Sequence, residues 1–302
     1  MILSIGELLF DHFPDYQRVG GAPFNFSYHL KKLGFPVRFI TRVGDDPEGR
    51  ELKTLLQVNG FGEKDLQVDQ KYRSGKVTVR IDGEGVPVFD IVSDVAFDHL
   101  EVDQEVRSLL NQDPRLIYYG TLIQRTSPGR RFMQEVFSYA KETVRFLCDL
   151  NLRPGCYSLE VVEESLTRAD VLKLNEEELA TITSLLGGNY PEDDQCRYIM
   201  ERYGIELVAL TRGDKGSKIH DQQGSYSIGP VEGLVVADTV GAGDAYASIL
   251  AIGYLGGWHP ERILPVASRF SAEICGFKGG LPDTDLFYSK YLKLMGDNDI
   301  EE

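Results

Sequence analysis

Short apolar runs along the chain alternate with longer stretches in which apolar side chains recur three or four positions apart. Ile2–Ile5, Val37–Arg42, Leu116–Tyr119, Arg145–Leu150, Val171–Leu174 and Leu207–Leu210 read as strands. Between them, Phe24–Leu33, Glu48–Val58, Arg131–Lys141, Glu176–Ser184 and Asp194–Tyr203 carry the helical period. This rhythm predicts an α/β fold, a mostly parallel sheet covered by helices on both faces. One segment breaks it. Lys76–Ile81 alternates, the turn signal Asp82-Gly83-Glu84-Gly85 follows, and Val88–Val92 continues as a second strand with no crossover helix. Such a hairpin is either an addition to the sheet edge or a flap over a site. The polar stretches Gly187–Asp193 and Asp297–Glu302 read as a surface loop and a solvated tail. No repeat or linker divides the 302 residues, so residues 1–302 are expected to form a single domain.

Composition acts by exclusion. Thirty-two Lys and Arg against forty-seven Asp and Glu give a net charge of −15, which opposes attraction to nucleic acid and to anionic membrane surfaces. The longest apolar runs fall short of the ~20 residues of a membrane span, and no basic-then-apolar leader opens the chain, so a cytoplasmic protein is expected. Cys148, Cys156, Cys196 and Cys275 lie far apart with no C-x-x-C pair, which suggests neither a zinc knuckle nor a disulfide scaffold. No G-x-x-x-x-G-K-[ST], H-R-D or D-F-G occurs, and no G-x-G-x-x-G follows the first strand. P-loop kinases, protein kinases and dinucleotide-binding oxidoreductases are thereby removed.

The sharpest chemical signal is Asp238-Thr239-Val240-Gly241-Ala242-Gly243-Asp244, placed between the apolar run Leu234–Ala237, read as a strand, and the helix Ala245–Leu255. Small residues at a helix N-terminus let backbone amides approach an anion, and the helix end adds about half a positive charge. Asp244 would then project a carboxylate beside a bound phosphate, where it can accept a proton from an attacking hydroxyl. A tight turn with an acidic residue favoured by the helix dipole is the plainer alternative.

That segment, together with Gly20-Gly21-Ala22-Pro23-Phe24-Asn25-Phe26-Ser27, resembles both signature motifs of the ribokinase-like (PfkB) sugar kinases. Further similar elements follow in order over nearly the whole chain: Gly6-Glu7 with Asp11, Asp149-Leu150-Asn151-Leu152-Arg153-Pro154, Lys173-Leu174-Asn175 with Glu178, and Thr211-Arg212-Gly213 with Gly216. The resemblance implies ATP-dependent phosphorylation of a sugar hydroxyl and a three-layer α/β/α fold. It also implies a small β lid, built from about residues 9–19 and 72–93, which favours the flap reading of the hairpin.

On that resemblance Asp244 is the catalytic base, and Gly241, Ala242 and Gly243 form the anion hole. Gly20 and Gly21 would let the backbone approach the sugar, with Asn25, Asp11, Asn151 and Arg153 supplying polar contacts. Thr211, Gly213 and Gly216 would run along ATP with Gly241, Gly243 and Asn175. Asn175 and Glu178, three apart at a helix start, can hold hydrated Mg²⁺, and they equally outline a capping box. A monovalent cation, K⁺, is expected on backbone carbonyls near Asp238, Val240 and Gly279. A homodimer through the lid is a further expectation, suited by the alternation of Lys76–Val92.

The same stretches, with Ala96-Phe97-Asp98, look most like the fructokinase branch, which implies fructose as acceptor. Phe24, Phe26 and Tyr28 depart from it, being bulkier than is usual around Asn25, and Tyr246 stands where Phe is common. Large rings near the pocket would suit 2-keto-3-deoxygluconate, another sugar acid or a nucleoside. From a different class, a noncatalytic sugar- and nucleotide-binding relative would keep the fold without turnover.

Overall fold

The computed structural model describes residues 1–13, 15–81, 87–188 and 191–295. The expected turn at Asp82-Gly83-Glu84-Gly85, part of the loop Gly187–Asp193 and the tail Asp297–Glu302 lie outside the described residues. Thirteen strands occur among those described: β1 (Ile2–Ile5), β2 (Leu9–His12), β3 (Gln17–Gly20), β4 (Val37–Gly44), β5 (Leu66–Asp69), β6 (Gly75–Ile81), β7 (Pro87–Ile91), β8 (Leu116–Gly120), β9 (Arg145–Asp149), β10 (Val171–Asn175), β11 (Leu207–Thr211), β12 (Ser217–Asp221) and β13 (Ser225–Ile228).

Nine of them form one sheet in the order β13-β12-β11-β10-β9-β8-β1-β4-β5. From β11 to β5 every pairing is parallel, while β12 and β13 add antiparallel at one edge. Both faces are buried, as the near-continuous apolar strands require. Ile2, Val37, Phe39, Leu116 and Tyr118 belong to one hydrophobic cluster, and their neighbours Leu3, Ile40, Ile117 and Tyr119 to the other. Helices Ala22–Lys32, Ala242–Leu255 and Pro260–Ile274 cover the first face, and Ser127–Tyr139, Leu159–Arg168 and Glu192–Tyr203 the second. The result is the three-layer α/β/α arrangement.

The hairpin is not an edge addition to this sheet. Strands β6 and β7 join β2 and β3 in a separate four-stranded sheet of order β3-β2-β6-β7, with β2 and β6 parallel. Two other expectations need correction. Leu234–Ala237 is not a strand: it has no ladder partner among the described residues, and Val235 and Val236 are exposed. The apolar side chains of Leu234, Val236 and Ala237 line cavity walls instead of a sheet. Nor do Phe24, Phe26 and Tyr28 face a pocket. All three are buried in the core, with Phe26 stacked on Tyr118 at 3.8 Å and the Tyr28 hydroxyl donating to the Pro282 carbonyl. Their helix turns its large side chains inward because its neighbours on that side are the sheet and helix Ala242–Leu255.

Candidate active site

In an open parallel sheet, side chains following the carboxyl ends of the strands converge on one edge. Here Glu7 follows β1, Arg153 follows β9, Asn175 ends β10 and Thr211 ends β11. Two cavities open along that edge. One, of ≈ 610 Å³, is roofed by the four-stranded sheet and lined by Glu7, Asp11, Gly20, Gly21, Asn25 and Arg153 among others. The second, of ≈ 600 Å³, is lined by Asn151, Asn175, Glu178, Thr211, Gly213, Gly216, Ala242 and Gly243 among others. Arg153, Thr239 and Asp244 line both. A depression of ≈ 520 Å³ around Arg130 lies elsewhere, and that guanidinium is already paired with Glu160 and Glu164.

Helix Ala242–Leu255 starts at the junction of the two main cavities. Its cap, Gly241, holds a left-handed φ of 79°, and among the described residues no acceptor takes the N–H groups of Gly243 and Asp244. Free N–H groups at a helix start are the ordinary anion-binding device. Asp244, in the first turn, accepts a 2.7 Å hydrogen bond from the Asn25 amide at its Oδ2. Burial first, then the nearby Asp149 carboxylate, push the Asp244 carboxyl up to about 6 against the opposing Lys173, Asn25 and Arg153. It is therefore ionised at neutral pH yet basic enough to take a proton.

The first cavity is built around Gly20 and Gly21. Gly21 has φ 114°, and a Cβ there would meet the Glu7 carbonyl at 2.4 Å, so only glycine fits. The Glu7 carboxylate accepts from the Ala22 N–H at 3.1 Å, and burial pushes it up to about 7. Burial also raises Asp11, although Arg18 lies beside it. The aromatic wall of this cavity comes from Phe13 and Tyr16, stacked at 4.5 Å, with the Lys278 ammonium 5.3 Å from the Tyr16 ring. Asn25 spends an N–H on Asp244 and keeps a buried Oδ1 without a partner among the described residues.

In the second cavity the capping-box outline is realised. Asn175 Oδ1 accepts from the Glu178 N–H, Glu178 Oε2 accepts from the Asn175 N–H, and Glu178 Oε1 accepts from the Leu152 N–H, each at 2.8 Å. Each carboxylate oxygen retains a lone pair, so the pair fits a metal ion reached through water. Among the described residues no cluster of three or more His, Cys, Asp or Glu offers a direct metal site. The strand-to-turn segment at Thr211, Gly213 and Gly216 leads into the antiparallel β11–β12 pair along the cavity wall. Asn151, expected beside the sugar, lines this cavity and not the one under the four-stranded sheet; it holds a left-handed φ of 40°, unusual for a non-glycine residue.

Asp238 organises the approach to the helix. Its Oδ1 accepts from the Val240 N–H and its Oδ2 from the Gly279 N–H, both at 3.1 Å, while Arg18 donates to Oδ2. Burial alone would raise this carboxyl, but those donors hold it below the usual range. The segment at Gly279 is thereby held against the Val240 carbonyl side of the turn.

Four contributors carried no role in the sequence reading: Glu7, Arg18, Asp149 and Lys173. Lys173 Nζ lies 2.8 and 3.0 Å from the two Asp149 oxygens, and Tyr118 donates to the same carboxylate. Burial would lower the ammonium, but Asp149, Glu178 and Asp244 outweigh it and keep Lys173 raised. The signal was a charge inside each of two apolar strands, and the ladder sets Lys173 directly opposite Asp149.

The model of the pfkB family carbohydrate kinases matches residues 15–284. A fructokinase of Solanum lycopersicum is 27% identical over 268 residues, covering 83% of this chain and 80% of the relative. An uncharacterized sugar kinase of Pyrococcus horikoshii, solved in complex with ATP, superposes with a TM-score of 0.80 at 25% identity, covering 93% of this chain and 94% of that one. A fructokinase of Xylella fastidiosa with bound ATP shares the fold at a TM-score of 0.84 and 19% identity, covering 99% of each chain.

Proposed function

This chain belongs to the pfkB family of carbohydrate kinases, and on that premise we propose that it transfers the γ-phosphate of ATP to a primary hydroxyl of fructose, giving fructose 6-phosphate. The observation that carries this reading is the position of Asp244 at the junction of the two cavities, beside unpaired helix N–H groups. The cavity under the four-stranded sheet takes the sugar and the other takes the nucleotide. The relative from tomato is a fructokinase, and the Pyrococcus sugar kinase was solved with ATP; both support the assignment.

Phosphoryl transfer is governed by positioning and by stabilisation of charge on the moving group. Asn25 orients the Asp244 carboxylate, which accepts the proton of the attacking hydroxyl. Asp11 and the backbone at Gly20 and Gly21 hold the sugar's other hydroxyls, and Asn151 borders the nucleotide side. Arg153 reaches both cavities and its side chain forms no hydrogen bond or ion pair among the described residues, so its guanidinium is available to the transferring phosphoryl. The N–H groups following Gly241 and Ala242 receive the same charge. Asn175 and Glu178 would hold Mg²⁺ through water, and the ion, when bound, neutralises phosphate charge. K⁺ would lie among backbone carbonyls near Asp238, Val240 and Gly279, where two loops are pinned together; equal rates in sodium and potassium would dismiss it. The four-stranded sheet acts as the lid. Pairing of two copies through it would give a dimer mass by light scattering, and a monomer mass would dismiss that.

A second acceptor class has its own observation. Lys278 and Arg153 line the sugar cavity without an ion pair among the described residues, an arrangement that suits the carboxylate of a sugar acid such as 2-keto-3-deoxygluconate. A coupled ADP-release assay with Mg-ATP over ketoses, aldoses, sugar acids and nucleosides decides between them. Fructose is expected to turn over with kcat/KM of about 10⁴ M⁻¹s⁻¹ or better. Preference for a sugar acid would replace fructose, and silence across the panel with ligand binding intact would favour a noncatalytic relative.

A further inference from the structure

Arg18 lies in β3, in the smaller sheet, and its guanidinium reaches the turn that opens helix Ala242–Leu255. Its Nη1 donates to Asp238 Oδ2 at 2.5 Å, its Nε stands 3.5 Å from Asp11 Oδ2, and its planar group covers the Phe13 ring at 4.6 Å. The side chain is mostly buried, and among the described residues Nε has no hydrogen-bond partner. Phe13, Asp11, Arg18 and Asp238 all line the cavity beneath the smaller sheet.

Asp238 is the hinge of this arrangement. One of its oxygens fixes the Val240 N–H, two residues on, and the other fixes the Gly279 N–H of a separate loop. Those contacts set the path of the backbone into Gly241, and so the direction of the free N–H groups at Gly243 and Asp244. One N–H donor on each oxygen orients the carboxylate, and the guanidinium adds a charge-assisted third bond that balances its charge and holds it in that place. The third donor comes from a different sheet, 220 residues away in sequence.

We propose that Arg18 is a positioning residue that couples the seating of the smaller sheet to the geometry of the anion-binding turn, through its ion pair with Asp238. This rests on the kinase reading of the site. The guanidinium acts through its bond to Asp238. When the sheet is seated, the turn presents its N–H groups to phosphate. When the Arg18 contact is lost, the turn samples other states and nucleotide binding weakens, because only the fraction of molecules in the competent state binds.

The test uses the full chain and Mg-ADP alone, so it does not depend on the identity of the sugar. Affinity is measured by calorimetry for the wild type, Arg18→Met, Arg18→Lys, Asp238→Asn and the Arg18→Met/Asp238→Asn double variant, with amide hydrogen exchange read at Val240 and Gly279. Arg18→Met is expected to bind Mg-ADP about tenfold more weakly, within the usual range of coupling between sites. Exchange at Val240 and Gly279 should quicken while β9, β10 and β11 remain protected as in the wild type. Arg18→Lys keeps the charge without the planar fork and should recover part of the affinity. The double variant should lose no more than about the larger single loss, as expected for two residues acting through one contact. Should Arg18→Met destabilise the chain, Arg18→Lys and Asp238→Asn carry the same comparison. Mg-ADP affinity within about twofold of wild type in Arg18→Met, with unchanged exchange at both amides, overturns the coupling. A wild type that binds no Mg-ADP overturns the kinase reading itself.

Discussion

Replacing Asp244 with Asn should lower activity and raise stability at once. The carboxyl moves from an ordinary 3.8 in the unfolded chain to about 6 in the folded one. The folded state therefore holds the proton more tightly, and ionised Asp244 costs the fold free energy that appears as pH rises through this window and is complete above about 6. At about 1.4 kcal/mol per pKa unit the ceiling is about 3 kcal/mol at pH 8. By the same relation about half of it remains at pH 5, so the penalty is about 1.5 kcal/mol larger at pH 8 than at pH 5. Asn keeps an oxygen to accept the Asn25 hydrogen bond and carries no charge, so the variant escapes the penalty. Urea unfolding at pH 5 and pH 8 should show the variant gaining about 1–3 kcal/mol on the wild type at pH 8, and less at pH 5. Turnover should fall at least about a hundredfold, the lower end for loss of a general base, with Mg-ADP binding retained. A variant no more stable than wild type at pH 8, with a pH-independent difference, would refute the burial argument. Near-normal turnover would refute the role of base.

The same carboxyl should govern the acid limb of kcat/KM, with activity falling as pH drops through about 6 while Asp244 takes up its proton; a profile flat to pH 4.5 would contradict it. Lys173→Met leaves Asp149 buried without its cation and should destabilise by about 3–5 kcal/mol in urea, so a loss under about 1 kcal/mol would show the pair to be dispensable. Gly21→Ala places a Cβ 2.4 Å from the Glu7 carbonyl at a φ of 114°. It should raise the sugar KM at least about tenfold and destabilise by about 1–3 kcal/mol, whereas unchanged KM would mean that the segment does not shape the sugar cavity.

Much of the fold was legible because its rules are local. Strands such as Ile2–Ile5 matched the structure residue for residue, since an apolar run flanked by helical period has few other uses in a parallel sheet. The start of the helix after Asp238–Gly241 was legible for the same reason: small residues followed by Asp mark a helix N-terminus, and Gly241 caps helix Ala242–Leu255. Where reading failed, the cause was an ambiguity that burial resolves. Leu234–Ala237 is apolar because it borders a cavity, and the rings around Asn25 are large because they fill the core.

Sequence by itself determined the layer architecture, the helix that starts after a glycine turn, and the candidate residues at the strand ends. Tertiary structure decided which of those residues meet. The pairing of Lys173 with Asp149 follows from two strands lying adjacent in register, the bond from Asn25 to Asp244 from the packing of two helices 219 residues apart, and the reach of Arg18 to Asp238 from the placement of a second sheet. Spacing along the chain cannot specify such contacts. They depend on strand order and helix packing, which the whole core sets together.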